Sequence, residues 1–206
     1  MNRSLIAATL FASLTFSSSI ALADESDNRT PPPPAPSAAS TFVGVAPVVV
    51  LAVGDRSNSA GPGLGAAVEV ERAITPALSI TGRVAYVHCL EQTQSIPGGA
   101  TSITTNQDLV PAFAGIKYYT SGPRGFYFAP ELGVVYVSSS ASGTVNVAGN
   151  PVNVANSSSG ASVGGALSAG MALGRFDARA GVVALDVAHP DASLAVLASL
   201  AYTFAL

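Results

Sequence analysis

The chain is 206 residues long, 49% hydrophobic and only 10% charged, with 20 Gly, 14 Pro, one Cys and no Trp. Low charge and abundant Val, Leu and Ala exclude disorder throughout, and Cys89 as the only cysteine excludes a disulfide scaffold. A net charge of −3 offers no electrostatic footprint for nucleic acid, so none is expected as a partner.

Residues 1–23 read as a cleaved signal peptide. Arg3 supplies the positive start, Leu5 to Phe16 the apolar run, and Ala21-Leu22-Ala23 the small-x-small cleavage pattern before Asp24. The apolar run falls short of the roughly 20 residues a helical span needs. Residues 24–40 follow as a proline-rich segment, with Pro31-Pro32-Pro33-Pro34-Ala35-Pro36 at its centre. Proline removes ladder donors, so this stretch is expected to be an extended, disordered periplasmic tether.

From Thr41 onward the texture is short runs of Val, Ala, Tyr and Phe, separated by Gly, Ser, Asn and Pro. Eight strands are predicted: Thr41 to Val53, Gly63 to Ile74, Leu78 to Glu91, Asp108 to Tyr119, Gly125 to Ser138, Ala161 to Leu173, Asp177 to Ala188 and Ser193 to Leu206. Most exceed the ~5–6 residues usual for strands in soluble proteins and suit the about 9–11 of a tilted membrane-crossing strand. Their connections alternate. Asp55 to Pro62, Gln92 to Gln107 and Ser139 to Gly160 read as long loops; Thr75-Pro76-Ala77, Thr120 to Arg124 and Gly174-Arg175-Phe176 read as tight turns. Such alternation suits a barrel with external loops at one rim and short turns at the other. The link His189 to Ala192 is short where a long one is expected.

The period-two pattern separates a bulky face from a small one. Leu194, Val196, Ala198, Leu200, Tyr202, Phe204 and Leu206 oppose Ala195, Leu197, Ser199, Ala201, Thr203 and Ala205, a face that is mostly small. Val163, Leu167, Met171 and Leu173 oppose Ser162, Gly164, Ala166, Ser168, Gly170 and Ala172. The charges lie with the small residues: Glu69, Glu71, Arg83 and Glu131, with Asp186 placed opposite Val183, Leu185 and Val187. In the fourth segment, putting Lys117 and Phe113 inside leaves Val110, Ala112, Ala114, Ile116 and Tyr118 outside. An Arg or Lys on the lipid face at mid-bilayer costs about 2–4 kcal/mol, so the bulky face is expected outward and the charges inward. The fold class is therefore all-β, an eight-stranded antiparallel up-and-down transmembrane β-barrel over residues 41–206. A soluble periplasmic barrel is the rival. The expected lumen network is Glu69, Glu71, Arg83, Lys117, Glu131 and Asp186. An eight-stranded barrel is narrow enough for side chains to fill, so the lumen is expected to be largely closed; a cation-preferring path is the alternative.

Aromatic residues gather at segment ends (Tyr118, Tyr119, Phe126 to Phe128, Tyr202, Phe204) and suit an interfacial girdle. Arg72, Arg124, Arg175 and Arg179 fall near the same ends, where they are expected to reach headgroups or water.

Leu109 to Tyr119, a short turn, and Phe126 to Val134 resemble the central hairpin of the small outer-membrane β-barrel proteins, the opacity-type and OmpA-like transmembrane barrels. Leu200, Tyr202, Phe204 and Leu206 resemble their C-terminal assembly signal. The resemblance implies a Gram-negative outer-membrane location, contact with outer-membrane lipid, and handling by the barrel assembly machinery during biogenesis.

Some barrels of this size modify lipid A with His and Ser at the outer rim. The candidates here are His88, beside Cys89, and His189, near Asp191 and Ser193; the His-x-Ser-Asn pattern of the deacylases is absent, since Pro190-Asp191-Ala192 follows His189. No catalytic residue is assigned. Two histidines without a spaced set of carboxylates or thiolates make a poor metal site, and Gly61-x-Gly63-x-Gly65 lacks the Lys-Ser/Thr of a phosphate loop. No metal or cofactor is expected. The expected role is structural or interactive, a scaffold offering external loops to a surface partner, with Ser139 to Gly160 the foremost candidate. A narrow channel or conduit for small apolar molecules is the alternative, and a lipid A-modifying enzyme a further one.

Overall fold

The computed structural model describes residues 40–53, 60–96, 101–120, 124–147, 150–189 and 193–206. The expected signal peptide, residues 24–39 of the tether and the loop tip at 54–59 lie outside them. Among the described residues there are eight strands and no helix: β1 (Thr41–Ala52), β2 (Gly63–Thr75), β3 (Leu78–Ile96), β4 (Thr101–Tyr119), β5 (Phe126–Val147), β6 (Asn150–Leu173), β7 (Phe176–Ala184) and β8 (Leu194–Ala205). Each pairs antiparallel with its sequence neighbour, and β1 pairs with β8, so the sheet closes on itself as a barrel. Every backbone ladder through the ring is thereby satisfied without an edge.

One rim carries both chain ends of the barrel and the tight turns. Phe42 lies opposite Ala205 in β1–β8, and the Leu206 amide donates to the Thr41 carbonyl at 2.9 Å. In the β2–β3 turn the Ala77 amide donates to Thr75 Oγ1 at 3.3 Å. The β6–β7 turn puts Gly174 at φ +57°, a left-handed conformation that glycine adopts without steric cost.

The other rim differs from the sequence reading. Gln92 to Gln107 and Ser139 to Gly160 are mostly not loops: β3 runs on to Ile96, β4 starts at Thr101, and β5 and β6 stay in register as far as Val147 opposite Asn150. β5 and β6 reach 22 and 24 residues, whereas β7 has 9 and pairs with β6 only up to Ala184 opposite Gly165. β3 to β6 go on pairing with one another beyond the last pairs of β1, β2, β7 and β8, so four strands continue past the closed ring as a projecting sheet. A register shift between Cys89 and Gln92 marks where β3 leaves the barrel wall, and Glu91 beyond Cys89 is exposed rather than on the inner face.

The two faces are dressed in the sense the alternation demands. Val45, Leu64, Val68, Ile80, Val84, Leu132, Val163, Leu167, Leu200 and Phe204 are outward and exposed, while Ala67, Ala85, Ala129, Ala172, Ala195 and Ala201 are buried inside. Val183 and Leu185 depart from expectation. They are inward and buried, because the parity of β7 is set by Asp177 and Arg179, and Asp186 lies beyond the strand end.

Candidate functional site

The barrel interior has two layers. Toward the tight-turn rim it is ionic. Lys117 of β4, fully buried, projects among three carboxylates: its Nζ lies 2.5 Å from Glu69 Oε1 and donates to Glu71 Oε2 at 3.0 Å and Asp177 Oδ2 at 2.6 Å. Arg179 of β7 donates through Nη2 to Glu69 Oε1 at 3.0 Å and through Nη1 to Glu131 Oε1 at 3.1 Å. Arg83 of β3 holds the other oxygen of that carboxylate, with Nη2 2.7 Å from Glu131 Oε2. Two phenols complete the layer: Tyr119 donates to Glu71 Oε1 at 2.7 Å and Tyr127 to Asp177 Oδ1 at 2.5 Å. Their rings meet edge-on at 5.4 Å, and Lys117 Nζ stands 4.7 Å from the centre of the Tyr127 ring. Ions this buried are tolerable only when paired and hydrogen-bonded, and these strands supply partners from opposite sides of the ring.

Glycine makes the space. Gly170 faces Tyr127 across the β5–β6 ladder, and a Cβ there would collide with the phenol hydroxyl. Gly115 faces Glu131, and its Cβ would sit 2.8 Å from the Glu131 Cγ.

Toward the long-hairpin rim the interior is apolar. Val48, Val50, Val87, Leu109, Phe113, Val135, Leu185 and Leu197 form one buried cluster, with Cys89 among them. The ionic layer and this cluster together fill the cross-section that an eight-stranded ring encloses.

Of the residues expected to form the network, Glu69, Glu71, Arg83, Lys117 and Glu131 share the ionic layer, and Asp186 does not. Asp186 follows β7 and builds the β7–β8 connection instead. Its Oδ1 accepts from the Ala188 amide at 2.9 Å, its Oδ2 lies 3.1 Å from His189 Nδ1, and its amide donates to Ser193 Oγ at 3.1 Å. The His189 hydrogen bond foremost, and then that of the Ala188 amide, hold the Asp186 carboxyl below its ordinary value.

Four members of the layer escaped the sequence reading. Tyr119 and Tyr127 belong to the lumen rather than to the girdle, and Arg179 is buried in the layer instead of reaching headgroups. Asp177 went unassigned. Parity was the available signal: Tyr119 lies two residues from Lys117, Tyr127 four from Glu131, and Asp177 and Arg179 alternate together. Arg124 also turns inward. It sits at φ 66° in the β4–β5 turn, donates from Nη2 to Thr203 Oγ1 at 2.8 Å and lies 4.4 Å from the centre of the Phe42 ring, crossing the mouth from β4–β5 to β8–β1. Arg72 and Arg175 are exposed at that rim as expected, Arg175 donating to the Tyr202 hydroxyl at 3.0 Å. Tyr118, Phe126, Phe128 and Phe204 point outward there.

Leu200, Tyr202, Phe204 and Leu206 all lie on the outer face of β8 or just past it, and Phe204 packs edge-on against Tyr202 at 4.9 Å.

Glu69, Glu71 and Asp177 bring ligand atoms within 4.8 Å of one another, a spacing that suits a cation. The Lys117 ammonium fills that place. The histidines stand elsewhere. His88 faces outward while adjacent Cys89 faces inward and is buried, so the two share no site. The Ser193 hydroxyl is committed to the carbonyls of Asp186 and His189, at 2.8 and 2.9 Å.

The fold is shared with a solved barrel. Ail, the attachment invasion locus protein of Yersinia pestis, superposes with a TM-score of 0.50 at 13% identity, over 81% of this chain and 97% of that one. The same protein in complex with the heparin analogue sucrose octasulfate gives 0.50 at 14% identity over the same shares. Neisserial surface protein A gives 0.37 at 15%, over 80% and 95%. No family model and no curated protein sequence matches the chain.

Proposed function

We propose that the chain is an integral barrel of a Gram-negative outer membrane, closed to solute flow, whose task is to hold a projecting sheet at the cell surface. The observation that carries this is the inverted dressing of the wall. Leu132 and Leu167 are 66% and 64% exposed while Lys117, Glu131 and Arg179 are buried. In water, such a belt would be an apolar surface far beyond the few hundred Å² that soluble monomers tolerate. In a bilayer the same belt is solvated, and closure of the ring leaves no unpaired backbone toward lipid.

The remaining parts follow. Residues 1–23 act as the cleaved export signal, residues 24–40 as the periplasmic tether, and Leu200, Tyr202, Phe204 and Leu206 as the signal read by the assembly machinery. The tight-turn rim, with its outward Tyr118, Phe126 and Phe128 and exposed Arg72 and Arg175, then faces the periplasm, and the β3–β6 projection stands outside the cell as the surface for a partner.

Cell fractionation with a heat-modifiability gel tests this reading. Recovery in the outer membrane, with a band that shifts on boiling, is expected; recovery in the soluble periplasm overturns it. Planar-bilayer recordings are expected to show no stable open steps, and large steady conductance would contradict the closed lumen.

A further inference from the structure

The projection has a face of its own chemistry. Between Gln92 and Gln107, and between Ser138 and Ala161, there is no Asp, Glu, Lys, Arg or His. Register carries the barrel's outward parity up into it. Along β4 the outward positions read Tyr118, Ile116, Ala114, Ala112 and Val110, then Asp108, then Asn106, Thr104 and Ser102. Along β5 they read Phe128, Leu132, Val134 and Tyr136, then Ser138, Ser140, Ser142 and Thr144.

The outer wall therefore changes with height in three zones. The lowest is hydrocarbon. The next is ionic: Asp108 Oδ1 accepts from the Tyr86 hydroxyl at 2.9 Å and lies 2.8 Å from His88 Nδ1. The highest is neutral and hydroxylic. There, one cross-strand row holds Thr93, Thr104 and Ser142, and the next holds Ser102, Thr144 and Asn153. Thr93 and Thr104 hydroxyls meet at 3.0 Å, and Thr144 donates to Asn153 Oδ1 at 3.0 Å. Ser102, Thr104, Ser142, Thr144 and Asn153 border an open depression of about 380 Å³.

A membrane glycolipid presents acyl chains lowest and uncharged sugars highest, the order of the first and third zones. We propose that the outward face of the projection is a docking surface for the neutral sugar chain of a glycolipid in the leaflet around the barrel. Hydroxyl and amide groups on a flat sheet both donate to and accept from sugar hydroxyls. The absence of Lys and Arg argues against the phosphate or sulfate groups of an anionic glycan as the element recognised. Continuity with the lipid-facing wall sets the occupant, since a lipid seated on Val110 and Val134 extends its headgroup past Asp108 onto Thr104 and Ser142.

This inference rests on the outer-membrane reading, and one experiment separates the two. The full barrel is reconstituted into vesicles holding equal amounts of two glycolipids with the same acyl and phosphate groups, one carrying its neutral sugars and one truncated before them. Insertion is scored by heat modifiability and co-retained glycolipid by native mass spectrometry. About tenfold enrichment of the sugar-bearing form is expected, lost in the T104A/S142A/T144A variant while heat modifiability is kept. The free neutral oligosaccharide is the third arm, and binding to it as tight as to the glycolipid would overturn the leaflet as the source. Equal retention of both glycolipids by an inserted barrel, or enrichment unchanged in the variant, overturns the proposal. Failure to insert overturns the membrane reading instead.

Discussion

Lys117 and Asp177 stand on β4 and β7, yet the ammonium of one lies 2.6 Å from the carboxylate of the other through the barrel interior. That span ties strands that share no backbone ladder. The layer around it holds Glu69, Glu71, Glu131 and Asp177 against Arg83, Lys117 and Arg179, one negative charge in excess.

The excess decides which member matters most. Lys117→Met strands three carboxylates within 4.8 Å of each other and should destabilise the barrel by about 3–5 kcal/mol, as breaking a buried ion pair does. Glu69→Gln balances the charges and should cost distinctly less. Urea unfolding of the barrel in lipid vesicles measures both; equal losses would contradict the charge count.

Removing the ammonium also uncovers a cation site. In Lys117→Ala, millimolar calcium should recover part of the lost stability, with no such effect on the parent protein, because three carboxylate oxygens at that spacing suit a hard cation. Thermal melts with and without the ion decide it.

On the outer wall, Leu132→Arg or Leu167→Arg should cost about 2–4 kcal/mol in a bilayer, although both positions are exposed. The same change on a water-facing surface stays within about 0.5 kcal/mol. A negligible effect in vesicles would mean that the wall does not face hydrocarbon.

Gly170→Val should cost about 1–3 kcal/mol by overpacking, since its side chain needs the volume of the Tyr127 hydroxyl. Pairing it with Tyr127→Ala, which removes both the hydroxyl and the ring carbon that bears it, should recover part of the overpacking loss relative to Tyr127→Ala alone. Additive losses in the double variant would show that the clash is not the cause.

The β7–β8 connection carries a pH dependence with a definite sign. The Asp186 carboxyl lies below its ordinary value of 3.8 because His189 and the Ala188 amide hydrogen-bond to it. Its contribution is therefore present above 3.8 and lost as pH falls below it. Protection of the Ala188 amide, its exchange rate taken against the intrinsic rate at each pH, should fall only in that acid range, and Asp186→Asn should remove the dependence.

Parity along the strands makes the inward placement of Glu69, Arg83 and Glu131 legible in the sequence, because a wall packed on one side only imprints period two on it. Where both faces meet water that imprint fades. Thr101–Gln107 and Ser139–Val147 hold few apolar residues (Ile103, Ala141, Val145 and Val147) among Ser, Thr, Asn and Gly, so they read as loops although they pair as strands. Tyr119, Tyr127 and Arg179 were obscured for another reason. They stand near strand ends, where aromatic and Arg residues are also expected at a membrane interface, and only their spacing from Lys117, Glu131 and Asp177 separates lumen from girdle.

Lys117 is the only lysine in the sequence, and its side chain has no solvent exposure. Acylating reagents applied to folded barrels should thus leave that nitrogen untouched, whereas chains that have come apart should take up the label there. One lysine amine, buried inside the wall, makes labelling at that residue, read apart from labelling at the terminal amine, a count of how many copies have opened.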